Sequence, residues 1–369
     1  MDGTGAGLTH IAVSGVSDFA GLGARWRDLE TRSAPSFFQS WTWMGCLARE
    51  RFTDPVLVEA REDGRVVALA LFNRRGRVLY LGESGDPSLD CPYIEYNGVL
   101  TETGREDALG RACMLAARSH GGWRKYRLVV SGLEAARLGS LDGIGAIVRD
   151  KSTPAPFISF TASNERFLDS RSANTRQQSR RSDRAFAVLG ALTVERAATV
   201  PRAHEFLDGL ATLHQATWTA RGQPGSFARP FFRRFHRALI ASGLERGEID
   251  LLKVSAGDHI VGFIYNFRFQ GHVLAYQSGF NHGKAVPRGK PGLTCHLQAI
   301  LLALGSGARR YDFLAGDSRY KKSLADRADL LHWVTVTDRF SPLYLARRMR
   351  DWARDVLRRR LSDASEVSE

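Results

Sequence analysis

IDLLKVSAGDHIVGFIYNFRFQGHVLAYQSGF (249–280) reads as three β-strands in a row. The runs 249–254, 260–269 and 272–280 are rich in Val, Ile, Phe and Tyr, which suit a pleated, half-buried surface. Ala256-Gly257-Asp258 and Gln270-Gly271 separate them, and connections this short join only antiparallel neighbours. Downstream, NHGKAVPRGKPG (281–292) leads to a helix with Leu293, Leu297, Ile300 and Leu304 in register, then to a strand over 309–314. A strand reached through a helix can lie parallel to the one before it. Upstream, Phe206, Leu210 and Leu213 mark a helix over 204–218, and Pro230 starts another carrying Phe232, Phe235 and Leu239. The expected unit is a mixed, mostly antiparallel sheet flanked by helices. Where its last two strands splay apart, a cleft opens with a helix N-terminus directed into it, a natural anion site.

The first half repeats this order. A helix over 41–49 precedes strands 55–60, 65–72 and 77–81, joined by Glu62-Asp63-Gly64 and Arg74-Arg75-Gly76. A polar loop through Ile94 to Leu100 leads to a helix over 106–119 and a strand over 125–130. Aligning the Asp63-Gly64 turn with Gly257-Asp258 gives an offset of about 194, and aligning the last strands gives about 184. So steady an offset implies a tandem pair of α/β units, repeated in element order without visible identity. The expected division is 1–160, 161–340, and a basic amphipathic helix with a polar tail over 341–369.

Composition sets the class. The chain has 369 residues, 43% apolar and 25% charged, which excludes disordered, collagenous and disulfide-scaffold proteins. No run approaches the roughly 18 apolar residues of a membrane span, and the start lacks the basic patch and apolar run of a signal peptide. Cys46, Cys91, Cys113 and Cys295 stand far apart, and the histidines lack ligand spacing, so no metal or disulfide framework is expected. The reading is a soluble, reduced, cytoplasmic protein.

The net charge of +13 is local. Residues 166–184 carry six Arg against two Asp, and residues 347–360 carry seven Arg against two Asp, so +9 of the +13 sits in two segments. In the first, Arg176, Arg180 and Arg184 share a helix face. Without interleaved aromatics, helix-turn-helix or zinc pattern, specific DNA binding is not expected, and an anionic substrate or donor fits better. In the second, Leu345, Met349, Trp352 and Val356 form an apolar stripe. The plain expectation docks that stripe on the body and leaves the arginines in water. A basic amphipathic helix also suits an anionic membrane surface or another polyanion.

The meander–loop–helix–strand order resembles the GNAT acyltransferase fold. More closely, LHQATWTARGQPGSF (213–227), AYQSGF (275–280), the Pro291-Gly292 helix start and YDFLAGDSRYKKSL (311–324) resemble a bacterial GNAT branch linked to cellulose biosynthesis. FFQSWTWMGCL (37–47) fits the same branch, whose tandem layout is shared with Fem-type peptidoglycan aminoacyltransferases. The resemblance spans nearly the whole chain and is strongest over 205–325. It implies an acyltransferase that moves an acyl group, first of all acetyl, from acetyl-CoA or another acyl-CoA to an amine or hydroxyl of a sugar, glycan or other polar metabolite. An aminoacyl-tRNA donor, whose polyanion would suit the 171–184 arginines, is the Fem-like alternative. A non-catalytic scaffold in exopolysaccharide assembly is the third.

Acyl transfer needs a base for the acceptor, donors for the developing oxyanion and an acid for the leaving group. The stretch 311–324 supplies these types at the cleft: Asp317 to orient or deprotonate the acceptor, Tyr320 as acid, and Lys321 or Lys322 for the oxyanion. The resemblance implies that lysine role, since Fem-type enzymes carry a lysine in a similar motif. Lys321 is the first choice, with Lys322 expected to point the other way on an extended segment. For the donor pyrophosphate, Arg288, Gly289, Lys290 and Gly292 stand where GNAT enzymes place their phosphate loop, with Pro291 removing one amide. Gln277 is assigned with them to the donor, and Tyr276 with His214, Trp218 and Lys322 to the substrate, although on a strand one of 276 and 277 faces the cleft and the other away. His214 and Trp218, four apart on one helix, could border the acceptor pocket or belong to the core.

Overall fold

The computed structural model describes residues 9–120, 127–130, 146–160, 167–283 and 286–366. The first half runs β1 (His10–Gly15), α1 (Phe19–Glu30), α2 (Trp41–Arg51), β2 (Pro55–Glu62), β3 (Arg65–Arg75), β4 (Val78–Leu81), β5 (Leu100–Thr101), α3 (Glu106–Ser119), β6 (Arg127–Val130) and β7 (Ala146–Ser159). The second runs α4 (Ala173–Ala187), β8 (Leu192–Arg196), α5 (Val200–Thr219), α6 (Pro230–Gly243), β9 (Ile249–Ala256), β10 (His259–Phe269), β11 (His272–Phe280), α7 (Pro291–Gly305), β12 (Arg310–Asp312), α8 (Arg319–Leu324), β13 (Arg327–Thr337) and α9 (Pro342–Glu366). The expected helices and strands are present within a few residues, except that the strand expected over 309–314 covers only Arg310–Asp312 and that positions 125 and 126 lie outside the described residues. β1, α1, β7, β8, α8 and β13 are additional to that expectation.

Local chemistry explains the boundaries. Asp18 and Ser40 accept from Gly21 N and Trp43 N and so cap α1 and α2. Pro230 and Pro291 open α6 and α7, where a missing N–H costs nothing. Asp63-Gly64 and Gln270-Gly271 both adopt positive φ, the two-residue turn whose twist matches the flanking strands of a hairpin.

The strands form one hydrogen-bonded path, β1-β2-β3-β4-β6-β13-β7-β12-β11-β10-β9-β8, with β5 on β3. Its two ends are alike. β2-β3-β4 is an antiparallel meander with β6 parallel to β4, and β9-β10-β11 is another with β12 parallel to β11. These are tandem GNAT-like units, as the resemblance implied. The strands that close them are exchanged. β7, from the first half, pairs with β12, and β13, from the second, pairs with β6, while β7 and β13 run antiparallel along eleven residue pairs.

The halves also share a core. Phe37 stacks on Phe267 at 4.2 Å, and Trp43 meets Phe235 at 5.0 Å and Tyr276 at 5.9 Å. One buried cluster thus joins α1, α2 and the turn at 37–39 to α5, α6 and the meander β9-β11. The FFQSWTW segment is the wedge between the units.

The cleft opens because the β11–β12 pairing is short. It covers His272–Leu274 against Arg310–Asp312 and stops. Beyond Asp312 the chain follows β7: Phe313 N and Gly316 N donate to Pro156 O and Pro154 O, 2.9 Å each. Leu314 takes a φ of 60°, costly for a side chain with a Cβ, and Asp312 Oδ1 accepts its N–H at 2.7 Å. Asp312 Oδ2 accepts from Tyr96 Oη at 2.7 Å and from Arg310 Nη2 at 2.5 Å, and Arg310 also reaches Asp329 at 2.6 Å. Asp312→Ala leaves the Leu314 amide, the Tyr96 hydroxyl and most of the Arg310 charge without their partner. We expect a loss of roughly 2–4 kcal/mol, the surviving Asp329 pair limiting it. The exposed Asp317→Ala should stay within about 0.5 kcal/mol. Urea denaturation of the two variants checks this, and equal midpoints would remove Asp312 from its structural role.

Candidate active site

The splay produces a cleft of about 560 Å³ between β11 and the segment after β12. β11 contributes Tyr276, Gln277 and Ser278, α5 contributes His214 and Trp218, α7 contributes His296, and α8 contributes Tyr320 and Lys321. The first half adds Tyr93 and Glu95 from the loop between β4 and β5.

Tyr276 and Gln277 both line the cleft, whereas strict alternation put them on opposite faces. A β-bulge is the reason. Tyr265 pairs with Gln277 and Asn266 with Ala275, so Tyr276 is an extra residue with no partner opposite. It re-aims the strand at the point where β12 has departed.

Lys321 and Lys322 are separated, but by a helix turn and not by an extended segment, since both lie in α8. Lys321 Nζ donates to Leu314 O at 3.1 Å and Ala315 O at 2.8 Å, and it faces the cleft. Burial pulls its pKa down, while Glu95 and Asp312 oppose that shift. Lys322 is exposed and pairs with Asp317 at 2.5 Å. Neither Asp317 nor Lys322 lines the cleft. Tyr320 stacks on His296 at 4.9 Å, and burial pushes its pKa up to about 12, so it holds its proton at neutral pH.

Glu95 is the group that the sequence did not single out. It sits 220 positions from Ala315, whose N–H donates to Glu95 Oε2. Burial pushes the carboxyl up to about 7, against the pull of the Ala315 amide and Lys321 and with a push from Asp312. A carboxyl poised near neutrality at a cleft, with an ammonium on the same backbone residue Ala315, has the properties of a general base. Tyr96 fixes it by bonding Asp312 from the next position. Nothing local marks Glu95 as different from other loop acids.

The imidazoles are neutral. Burial lowers the pKa of His214, and that of His296 to about 3; both ring nitrogens of His296 are without a hydrogen-bond partner among the described residues. His214 is buried yet borders the cleft, 5.8 Å from the half-exposed Trp218. The positive charge comes from Lys321 and Arg221.

The stretch proposed for phosphate is arranged differently. Gly292 lines the cleft, whereas Arg288, Gly289 and Lys290 do not. Gly289 N donates to Val286 O at 3.1 Å, Lys290 N donates to Ser182 Oγ at 2.9 Å, and Pro291 has no N–H. Lys290 Nζ bonds Gln178 at 2.7 Å. The amides of Gly289 and Lys290 are therefore engaged within the protein, while Gly292 and Leu293 of the first turn of α7 line the cleft. Among the described residues no cluster of His, Cys, Asp and Glu could hold a metal ion.

Residues 173–322 match the family model described as "Acetyltransferase (GNAT) domain". The second half carries a GNAT-type acetyltransferase domain. Among solved structures, FemX aligns at 11% identity over 91% of this chain and 99% of that one, with a TM-score of 0.59. The C-terminal domain of a protein described as a lysylphosphatidylglycerol synthetase from Agrobacterium fabrum aligns at 11% identity over 91% and 96%, TM-score 0.54. A conserved protein of unknown function from Bacteroides thetaiotaomicron aligns at 12% identity over 89% and 100%, TM-score 0.55. At such identities these likenesses concern the fold. No curated protein matches the chain by sequence.

The raised Glu95 pKa makes a prediction independent of substrate. A carboxyl whose folded pKa lies above its unfolded value contributes stability that is intact below about pH 4.5 and lost as pH rises through about 7. Glu95→Gln keeps an acceptor for Ala315 N–H and carries no charge. It should gain on the parent by about 1–3 kcal/mol between pH 5 and 8. Denaturation at the two pH values measures the difference, and parallel behaviour would show that Glu95 titrates like an ordinary surface acid.

Proposed function

We propose that the chain is an acyltransferase whose reaction takes place in the splayed cleft of the GNAT domain, with Glu95 and Lys321 as its central groups. The supporting observation is that a carboxyl poised near neutrality and a half-buried ammonium both line that cleft. Glu95 takes the proton of an acceptor amine or hydroxyl, whose freed lone pair attacks the acyl carbonyl carbon. Negative charge gathers on the carbonyl oxygen, where Lys321 stabilises it. The bond to the leaving group then breaks, and the protonated Tyr320 supplies the proton that group requires. Asp317 and Lys322, paired on the surface, take no part.

An acyl-CoA is the first-choice donor, supported by the family of the matched domain. The acceptor class is a sugar or other polar metabolite, supported by the aromatic rings of Tyr93, Trp218 and Tyr320 at the cleft, on which a sugar ring can stack. A second reading, an aminoacyl-tRNA donor, is favoured by the engaged amides of Gly289 and Lys290 and the missing N–H of Pro291, which a donor without a CoA pyrophosphate would not need. Isothermal titration with acetyl-CoA and CoA, beside filter binding of aminoacyl-tRNA, separates the two. Micromolar binding of acetyl-CoA with none of aminoacyl-tRNA supports the first, the reverse supports the second, and failure of both removes the proposal.

Once the donor is known, Lys321→Ala should lower kcat by ~10²–10³ and leave donor affinity nearly unchanged, the signature of a group acting in the transition state. Lys322→Ala should turn over normally. Parental kcat/KM should rise with pH through about 7, and Glu95→Gln should be slow at every pH. Full turnover in Lys321→Ala, or an unchanged inflection in Glu95→Gln, would overturn the assignments.

A further inference from the structure

The last helix, α9, does not bury its apolar stripe. Leu345 is 47% exposed, Met349 66% and Trp352 69%, and Phe340, just ahead of the helix, is 85% exposed. The expected docking of this stripe against the body is therefore corrected. The helix is tied to the sheet by Arg347, which pairs with Asp150 of β7 at 2.8 Å. With 3.6 residues per turn, Leu345, Met349 and Trp352 fall within one narrow strip, while Arg347, Arg350 and Arg354 lie on the far side and Arg348 on its flank. Phe340, Arg348, Arg350 and Arg354 are all exposed.

From this arrangement we infer that α9 is a peripheral docking element that lies in the plane of an anionic phospholipid surface, with Leu345, Met349, Trp352 and Phe340 in the acyl boundary and the arginines at the headgroups. Two features select this occupant. The arginine charge calls for an anionic partner, and the exposed Trp, Phe, Met and Leu call for an apolar one. A bilayer interface offers both at the spacing of a helix diameter, and Trp is favoured at that depth. A nucleic-acid backbone satisfies the charge alone and leaves the stripe in water. No helix among the described residues is long and apolar enough to cross a membrane, so the contact is with the surface only. The inference is independent of the reaction proposed above, since none of these residues lines the cleft.

Co-sedimentation of the full chain with vesicles tests it. Vesicles of phosphatidylcholine mixed with phosphatidylglycerol should retain the protein at least ~10-fold better than phosphatidylcholine alone, and added salt should weaken retention. Met349→Glu with Trp352→Glu should reduce retention ~10-fold or more without changing the circular dichroism spectrum or melting temperature, because both side chains are exposed. Equal retention on both vesicle types, or none, overturns the inference, as does a double variant that binds like the parent. A dimer in light scattering that the double variant abolishes, with no vesicle binding, would mark the stripe as a contact between copies. Binding of RNA in place of vesicles, unaffected by the double variant, would assign the arginines to a polyanion.

Discussion

The Asp312 carboxylate is the constraint on which the cleft depends. One oxygen holds the Leu314 amide in a left-handed turn that L-residues avoid, and the other gathers Tyr96 and Arg310. The first contact bends the chain away from β11, and the second ties the loop of the first half to the floor of the cleft in the second. The carboxyl is fully buried, and burial raises its pKa against the opposing pull of Arg310, Tyr96 and the Leu314 amide. Such a group is tolerable only while all its partners stay in place, which makes the splay an all-or-none feature and not a soft deformation.

Strand exchange carries the same logic to the scale of the molecule. The segment beyond Asp312 departs from β11 because β7 offers it carbonyls, and β7 comes from the other half. The cleft wall, the Glu95 side chain and the aromatic wedge of Phe37, Phe38 and Trp43 are all supplied by the first 160 residues to chemistry in the remainder. We therefore regard the division at 160 as a boundary of topology, with folding and the site shared across it.

The meander, both turns and the duplicated order were legible because period, turn residues and helix starts are local signals. The cleft lysine was legible for the same reason: YDFLAGDSRYKKSL is dense in groups of one chemistry, and the structure turns Lys321 inward and Lys322 outward. The bulge at Tyr276 was not, since no glycine or proline marks it and only the register with β10 reveals it. Glu95 escaped because its distinction is entirely environmental: its raised pKa comes from a wall built more than 200 residues away. Of the arginines of 166–184, Arg171 donates to Leu324 O and Arg176 to Arg171 O, while Arg180 and Arg184 are exposed, as a basic helix face requires.

The two units share a topology, yet the groups beside their parallel pairs differ. After β4 the chain is held by Arg51, a fully buried guanidinium that donates to Leu89 O, pairs with Asp90 at 2.5 Å and reaches Gly82 O. Glu83 lies in the same region, raised to about 7 by burial and Asp90. Arg51 and Asp90 are engaged with one another, and Arg51 with backbone carbonyls, so removing either would leave a buried charge unpaired. After β11 the corresponding charges, Glu95 and Lys321, both line an open cleft and hold the N–H and C=O of Ala315. Duplication thus placed the same strand geometry twice, with a buried guanidinium clamp beside one parallel pair and an open cleft beside the other.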